Sequence, residues 1–169
     1  DSTNILSPAA GVITSIGLDH QQFLGDTIEA VAFEKAGIIK PGMTVVTGAL
    51  PDKARSIVSA VAAERGARVV DALAESHVRS ELRKEHATLI IETPEDRYGP
   101  VSLALRGDHQ IGNALVAIRL LEVARGLGIR VTREAIERGL STVEWPARLE
   151  LIRLSEGRQV ILDAAHNVD

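Results

Sequence analysis

Gly11-Val12-Ile13-Thr14-Ser15-Ile16-Gly17 decides the fold. It is a short, mainly apolar run bounded by glycines and reads as a buried strand, since a strand covered on both faces needs no polar alternation. Working outward, Asp26-Thr27-Ile28-Glu29 offers a helix cap, with Glu29 placed to reach back as the third residue of a capping box. The helix is expected to run to about Ile39, where Lys40-Pro41-Gly42 stops it. Thr44-Val45-Val46-Thr47 is the next strand. Pro51-Asp52 opens a second helix that Gly66 ends, and Ala67-Arg68-Val69-Val70 follows as a strand. Strand, helix, strand, helix, strand is the order of an α/β fold, a mostly parallel sheet with helices on both faces.

The middle of the chain leaves that rhythm. Residues 77–105 offer three candidate strands, with a turn rich in Pro and Gly from Pro94 to Pro100, and read as a small antiparallel sheet attached to the main one. A long helix is expected from Gln110 to Arg125 and a shorter one from Arg133 to Gly139, capped by Thr132. Leu149 to Leu154 and Gln159 to Leu162 read as strands joined by a turn at Ser155-Glu156-Gly157-Arg158.

The 169 residues suffice for one domain with a sizeable core. With two Phe, one Tyr and one Trp, that core must be built from Leu, Ile, Val and Ala. Nineteen Lys and Arg against 23 Asp and Glu give a net charge of -4, with no basic run, so nothing favours nucleic acid as a partner. No Cys is present, which removes disulfides and thiolate chemistry. No apolar run approaches the roughly 18 residues of a membrane span, and a cytoplasmic location is expected. The chain opens on Asp1 and closes on Asp169, soon after the last strand candidate, and is expected to be cut at both ends.

Several polar residues fall where the periodicity does not want them. Asp19-His20 follows the first strand, and Asp163 with His166-Asn167 follows the last; ligands of open α/β sheets gather at such carboxyl ends, although turns and helix caps use the same residues. Lys35 lies seven residues after Ile28 on the stripe Ile28, Val31, Ala32, Ala36, Ile39, so an amine points toward the buried side. Either its methylenes cover the core while the ammonium reaches water, or the lysine has altered chemistry or a paired charge. His109, Gln110 and Asn113 form the mouth of the long helix, where Asn113 begins a stripe continued by Val116, Ala117, Leu120 and Ala124. A buried Asn needs partners for a carbonyl and an amide, which the edge of a purine offers. Arg148, in Trp145-Pro146-Ala147-Arg148-Leu149-Glu150, sits at a strand entrance, where it could stack on Trp145 or hold a phosphate through paired hydrogen bonds. Neither Gly-x-x-x-x-Gly-Lys-Ser/Thr nor Gly-x-Gly-x-x-Gly occurs in the chain.

Taken in order, these segments resemble the folylpolyglutamate synthases, often bifunctional with dihydrofolate synthase, of the Mur ligase superfamily. The resemblance is carried by Asp1-Ser2-Thr3-Asn4, Ile13-Thr14-Ser15-Ile16-Gly17-Leu18-Asp19-His20 with Leu24-Gly25, Glu34-Lys35-Ala36-Gly37-Ile38, Gly107-x-His109-Gln110-x-x-Asn113-Ala114, Trp145-Pro146-x-Arg148-Leu149-Glu150 and Asp163-x-Ala165-His166-Asn167. It implies a P-loop-NTPase-like central ATP-binding domain over residues 1–169, with its phosphate loop upstream and a glutamate-binding domain downstream. The implied cofactors are ATP and Mg2+. The implied substrates are folate or dihydropteroate and L-glutamate, and the full-length protein would be a monomer in contact with neither membrane nor nucleic acid.

The same resemblance implies roles for single residues. His20 would ligate a magnesium, and Lys35 would react with carbon dioxide to give a carbamate that organises that metal. Asn113 would meet the adenine edge, Arg148 the ATP phosphates and Asp163 the ribose, with His166 near the phosphate end. Lys35, Arg148 and His166 are thus the expected catalytic set. Ala147 and Ala164 stand where the family pattern has Gly, replacements expected to be tolerated unless the position needs positive φ. The cell-wall Mur ligases, which join amino acids to UDP-muramyl precursors, also carry the reactive lysine and the adenine-edge Asn; Ser15 to His20 and Trp145 to Arg148 favour the folate branch. A non-catalytic nucleotide-binding or structural domain is the alternative of another class, and the isolated segment, without a phosphate loop, is expected to be inactive.

Overall fold

The computed structural model describes residues 5–17, 27–83 and 86–164. They fall into two compact units: residues 1–74 with 115–130, and residues 75–114 with 131–169.

In the first unit β1 (Ala10–Ile13), β2 (Thr44–Thr47) and β3 (Arg68–Asp71) form a parallel sheet in the order β1-β2-β3, with Val12 opposite Val46 and Val46 opposite Val70. Helices α1 (Ile28–Ala36) and α2 (Asp52–Glu64) are the crossovers. Both pack into one cluster, in which Val31, Ala32, Ala36 and Ile39 meet Ala54, Val58, Val61, Ala62 and Val45. Neighbouring strand residues point to opposite faces, and Val45 and Val46 are both fully buried, so both faces of β2 are covered. The expected α/β fold with a parallel sheet is therefore present. Each such Val or Ile contributes roughly 1.5–3 kcal/mol by leaving water.

Several boundaries differ from expectation for local reasons. Strand β1 ends at Ile13, short of Gly17. Thr27 is the N-cap of α1, its hydroxyl accepting from the Ala30 amide at 3.1 Å. Glu29 therefore cannot play the third residue of a box; it pairs with Lys53 of α2 at 2.7 Å, and that contact holds the Glu29 carboxyl below its ordinary range. The α1 helix stops at Ala36, and the carbonyls beyond it are taken by cations: Lys40 Nζ donates to Gly37 O at 2.9 Å, and Arg65 donates to Gly37 O and Ile39 O. At the end of α2 the Gly66 amide donates to Ala63 O and the Ala67 amide to Ala62 O, with Gly66 at φ 57°, a double closure that returns the chain into β3.

In the second unit β4 (His77–Arg83), β5 (His86–Glu92) and β6 (Arg97–Ser102) form an antiparallel sheet in that order. Its second turn closes at Thr93–Asp96, where Thr93 Oγ1 accepts from the amides of Glu95 and Asp96 at 3.2 and 3.1 Å. The Pro-rich stretch expected to be all turn thus lies partly in β6. Among the described residues β6 pairs with β5 alone, with a register shift between Leu89 and Ile91, so Pro100 leaves no ladder donor missing. Helix α4 (Arg133–Thr142) packs on β6: Glu137 Oε1 accepts from the Gly99 amide at 2.8 Å, and Leu140 O from the Ala104 amide at 3.0 Å. Thr132 caps it as expected, accepting from the Ala135 amide at 3.1 Å, and the helix runs past Gly139.

Helix α3 (His109–Gly126) begins in the second unit and continues in the first. Its buried residues are Gln110, Ala114, Leu115, Val116, Ile118, Arg119 and Glu122, while Asn113 and Ala117 are exposed. The stripe drawn through Asn113 and Ala117 is thus misplaced. Residues 114–118 are all apolar, which leaves the buried face undefined by pattern; Arg119 and Glu122 can be buried because they pair with each other. Strands β7 (Glu150–Arg153) and β8 (Gln159–Leu162) form a separate two-stranded antiparallel sheet. Asp163 therefore does not follow a strand of the parallel sheet, as expected for a residue at its carboxyl edge. Among the described residues no helix is long and apolar enough to cross a membrane.

Candidate functional site

Three of the expected segments meet in the second unit, around the connection from α4 to β7. Residues 143–146 and 148–151 line a shallow cleft of about 220 Å³ together with Ala104, Leu105 and Arg106. Arg148 lines it and is exposed; Trp145, 61% exposed, stands on the same wall. The loop is bent by two residues in the left-handed region, Ala147 at φ 57° and Leu149 at φ 47°. Ala147 is one of the positions where the family pattern has Gly, so its side chain is carried at a cost of roughly 1–2 kcal/mol. Ala164, the other such position, is not left-handed.

The loop is held at three points. The Ala147 amide donates to Glu150 Oε2 at 2.8 Å. The Ala147 carbonyl accepts from the Ala164 amide at 2.8 Å, which ties the residue after Asp163 to the residue before Arg148. Leu149 reaches the turn before α3, where Gly107 has φ 98°. A Cβ on Gly107 would stand 2.6 Å from His109 Cε1 and 3.0 Å from Leu149 Cδ1, so only glycine lets the loop and the helix mouth approach this closely.

At that mouth a short polar chain runs from ring to amide to amide. Gln110 Nε2 lies 3.1 Å from His109 Nε2, and Asn113 Nδ2 donates to Gln110 Oε1 at 3.1 Å. Gln110 is the buried member, and the exposed Asn113 keeps its carbonyl available to an incoming edge. Sequence reasoning named Glu150 and Leu149 only as parts of a motif. A carboxylate three residues after a bend is the signal that could have identified Glu150, whereas a left-handed Leu leaves none. Arg106, a second guanidinium lining the cleft, was not singled out either.

Lys35 belongs to the first unit, half-buried on α1 beside buried Val31, Ala32 and Ala36. His20, His166 and Asn167 lie outside the described residues. Among the described residues no three His, Cys, Asp or Glu side chains converge as a metal site requires.

Residues 1–121 match the Mur ligase middle domain, and the chain belongs to that family. Within it, the chain is similar to folylpolyglutamate synthases and dihydrofolate synthases. It is 37% identical over its whole length to the folylpolyglutamate synthase of Lacticaseibacillus casei, of which it covers 40%, and 39% identical to the dihydrofolate synthase/folylpolyglutamate synthase of Bacillus subtilis, of which it covers 39%. The folylpolyglutamate synthase of Mycobacterium tuberculosis, solved with ADP and AMPPCP, superposes with a TM-score of 0.86 at 32% identity, covering 99% of this chain and 38% of that one. The chain thus spans about two fifths of the length of these relatives.

Proposed function

We propose that the protein containing this segment is an ATP-dependent ligase that adds L-glutamate to folate, or makes dihydrofolate from dihydropteroate, through an acyl phosphate. The observation that carries the proposal is the joining of the Asn113, Arg148 and Asp163 segments in one unit, through the Leu149–Gly107 approach and the 2.8 Å hydrogen bond from Ala164 to Ala147. The proposed roles follow their chemistry. Asn113 presents an amide to the adenine edge, and Asp163 accepts from ribose hydroxyls. Arg148 lies over the phosphates and offsets charge on the transferring group, with His166 near it.

In the reaction a carboxylate oxygen of the folate bonds to the terminal phosphorus of ATP while the bond to the bridging oxygen breaks and ADP leaves. The glutamate nitrogen then bonds to the acyl carbon, phosphate departs with one of the two original carboxylate oxygens, and the nitrogen loses a proton. Holding both reactants in line supplies much of the acceleration. Magnesium would offset phosphate charge when bound. The described residues do not form a ligand set for it on their own, so the chain's share falls to His20 and to Lys35 as a carbamate. Both are assigned by resemblance.

The test uses the purified full-length protein with ATP, Mg2+, L-glutamate and either folate, dihydropteroate or a UDP-muramyl precursor. A glutamylated product of folate or dihydropteroate formed together with ADP is expected. Product from the UDP-muramyl precursor alone would move the protein to the cell-wall branch.

A further inference from the structure

The geometry points to Glu150 as the positioning residue of Arg148, acting through the backbone of the Ala147–Leu149 bend; this rests on the nucleotide role proposed for Arg148. Arg148 is flanked on both sides by left-handed residues that are not glycine, at φ 57° and 47°. Such a bend does not hold itself, because each flanking residue would leave the left-handed region if released. Two hydrogen bonds act on Ala147. Its carbonyl is fixed by the Ala164 amide, and its amide is fixed by the carboxylate of Glu150 at 2.8 Å.

The second bond is the distinctive one. It joins a charged acceptor to a backbone donor and is part-buried, which makes it stronger than a neutral pair. Glu150 is also the first residue of β7, where it pairs in register with Leu162, the residue before Asp163. The carboxylate is thus mounted on the short sheet that leads to the proposed ribose contact and reaches back over three residues to the bend that carries the proposed phosphate contact. One side chain sets the direction in which Arg148 leaves the loop without touching the nucleotide.

In the full-length protein Glu150→Ala is expected to raise the KM for ATP roughly tenfold, the effect of one lost charge-assisted hydrogen bond, and to lower kcat through the same guanidinium, while the KM for glutamate stays within about twofold. Glu150→Gln, which keeps an acceptor oxygen, should recover most of the loss. In an Arg148→Ala background, Glu150→Ala should add less than about a twofold change, since its effect runs through Arg148. A wild-type KM for ATP in Glu150→Ala, equal losses in the Gln and Ala variants, or additive losses in the double variant would each overturn the assignment. If the wild-type protein makes no glutamylated product, the reading in the preceding section fails instead. ADP binding by calorimetry then decides on Glu150: roughly tenfold weaker binding by Glu150→Ala supports the latch, and unchanged binding overturns it.

Discussion

Replacing Lys35 by Ala in the full-length protein is expected to lower kcat by about 10- to 100-fold, the range for groups that organise metal ligands, with partial recovery on adding formate or acetate. The expectation starts from the helix. Lys35 is half-buried on α1 between buried Val31, Ala32 and Ala36, and the end of that helix is fixed by Lys40 and Arg65 on the Gly37 carbonyl. A lysine held there is limited in where its amine can go. By resemblance its amine bonds to the carbon of carbon dioxide and the ammonium gives up two protons in all, turning a cation into a carbamate anion on a long stem. Deleting the stem leaves a space that a small carboxylate can enter, which an ordinary surface lysine would not. Activity dependent on bicarbonate, and a carbamate resonance in protein labelled with 13C-bicarbonate, check the same point. Wild-type turnover in Lys35→Ala would return the residue to its simpler role, methylenes covering the core with the ammonium in water.

The largest stability effect is expected at Glu122. Its side chain is fully buried on α3, where it accepts from Arg119, whose own side chain is 8% exposed. Arg119 Nε is also buried with no hydrogen-bond partner among the described residues, so the guanidinium depends heavily on this carboxylate. Glu122→Ala leaves a buried cation uncompensated, with an expected loss of about 3–5 kcal/mol. Replacing both residues by Leu removes both desolvation penalties and should recover most of that loss. Urea unfolding of the full-length protein, following the transition that carries this segment, measures both variants. Equal destabilisation by the single and double replacements would mean that shape, not charge, governs the position.

Much of this fold was legible because its signals are local. The α1 stripe was read correctly through Val31, Ala32, Ala36 and Ile39, and β2 and β8 were bounded to the residue, since turn and cap residues sit at their ends. The α3 face was misread because an apolar run offers no contrast, and its burial is decided by a pair, Arg119 and Glu122, that looks like surface charge in a sequence. The two strands β7 and β8 and the turn between them were readable, but that they stand apart from the parallel sheet was not, because sheet membership is a tertiary fact. The Trp145–Glu150 loop shows the limit from the other side. The motif was visible, and so was the Gly-to-Ala departure at position 147, but the left-handed backbone that gives the departure a cost appears only in three dimensions. Asn113, Arg148 and Asp163 were singled out from pattern and given their roles by resemblance; that hydrogen bonds and one close approach link their segments is a result of the structure.

The acyl-phosphate account is tested most directly by oxygen transfer. Full-length protein is given ATP, Mg2+, L-glutamate and a folate whose terminal carboxylate carries 18O, and the inorganic phosphate is analysed by mass spectrometry. One labelled oxygen in each phosphate released per amide formed, with none in ADP, is predicted. Amide formation accompanied by unlabelled phosphate would contradict the account.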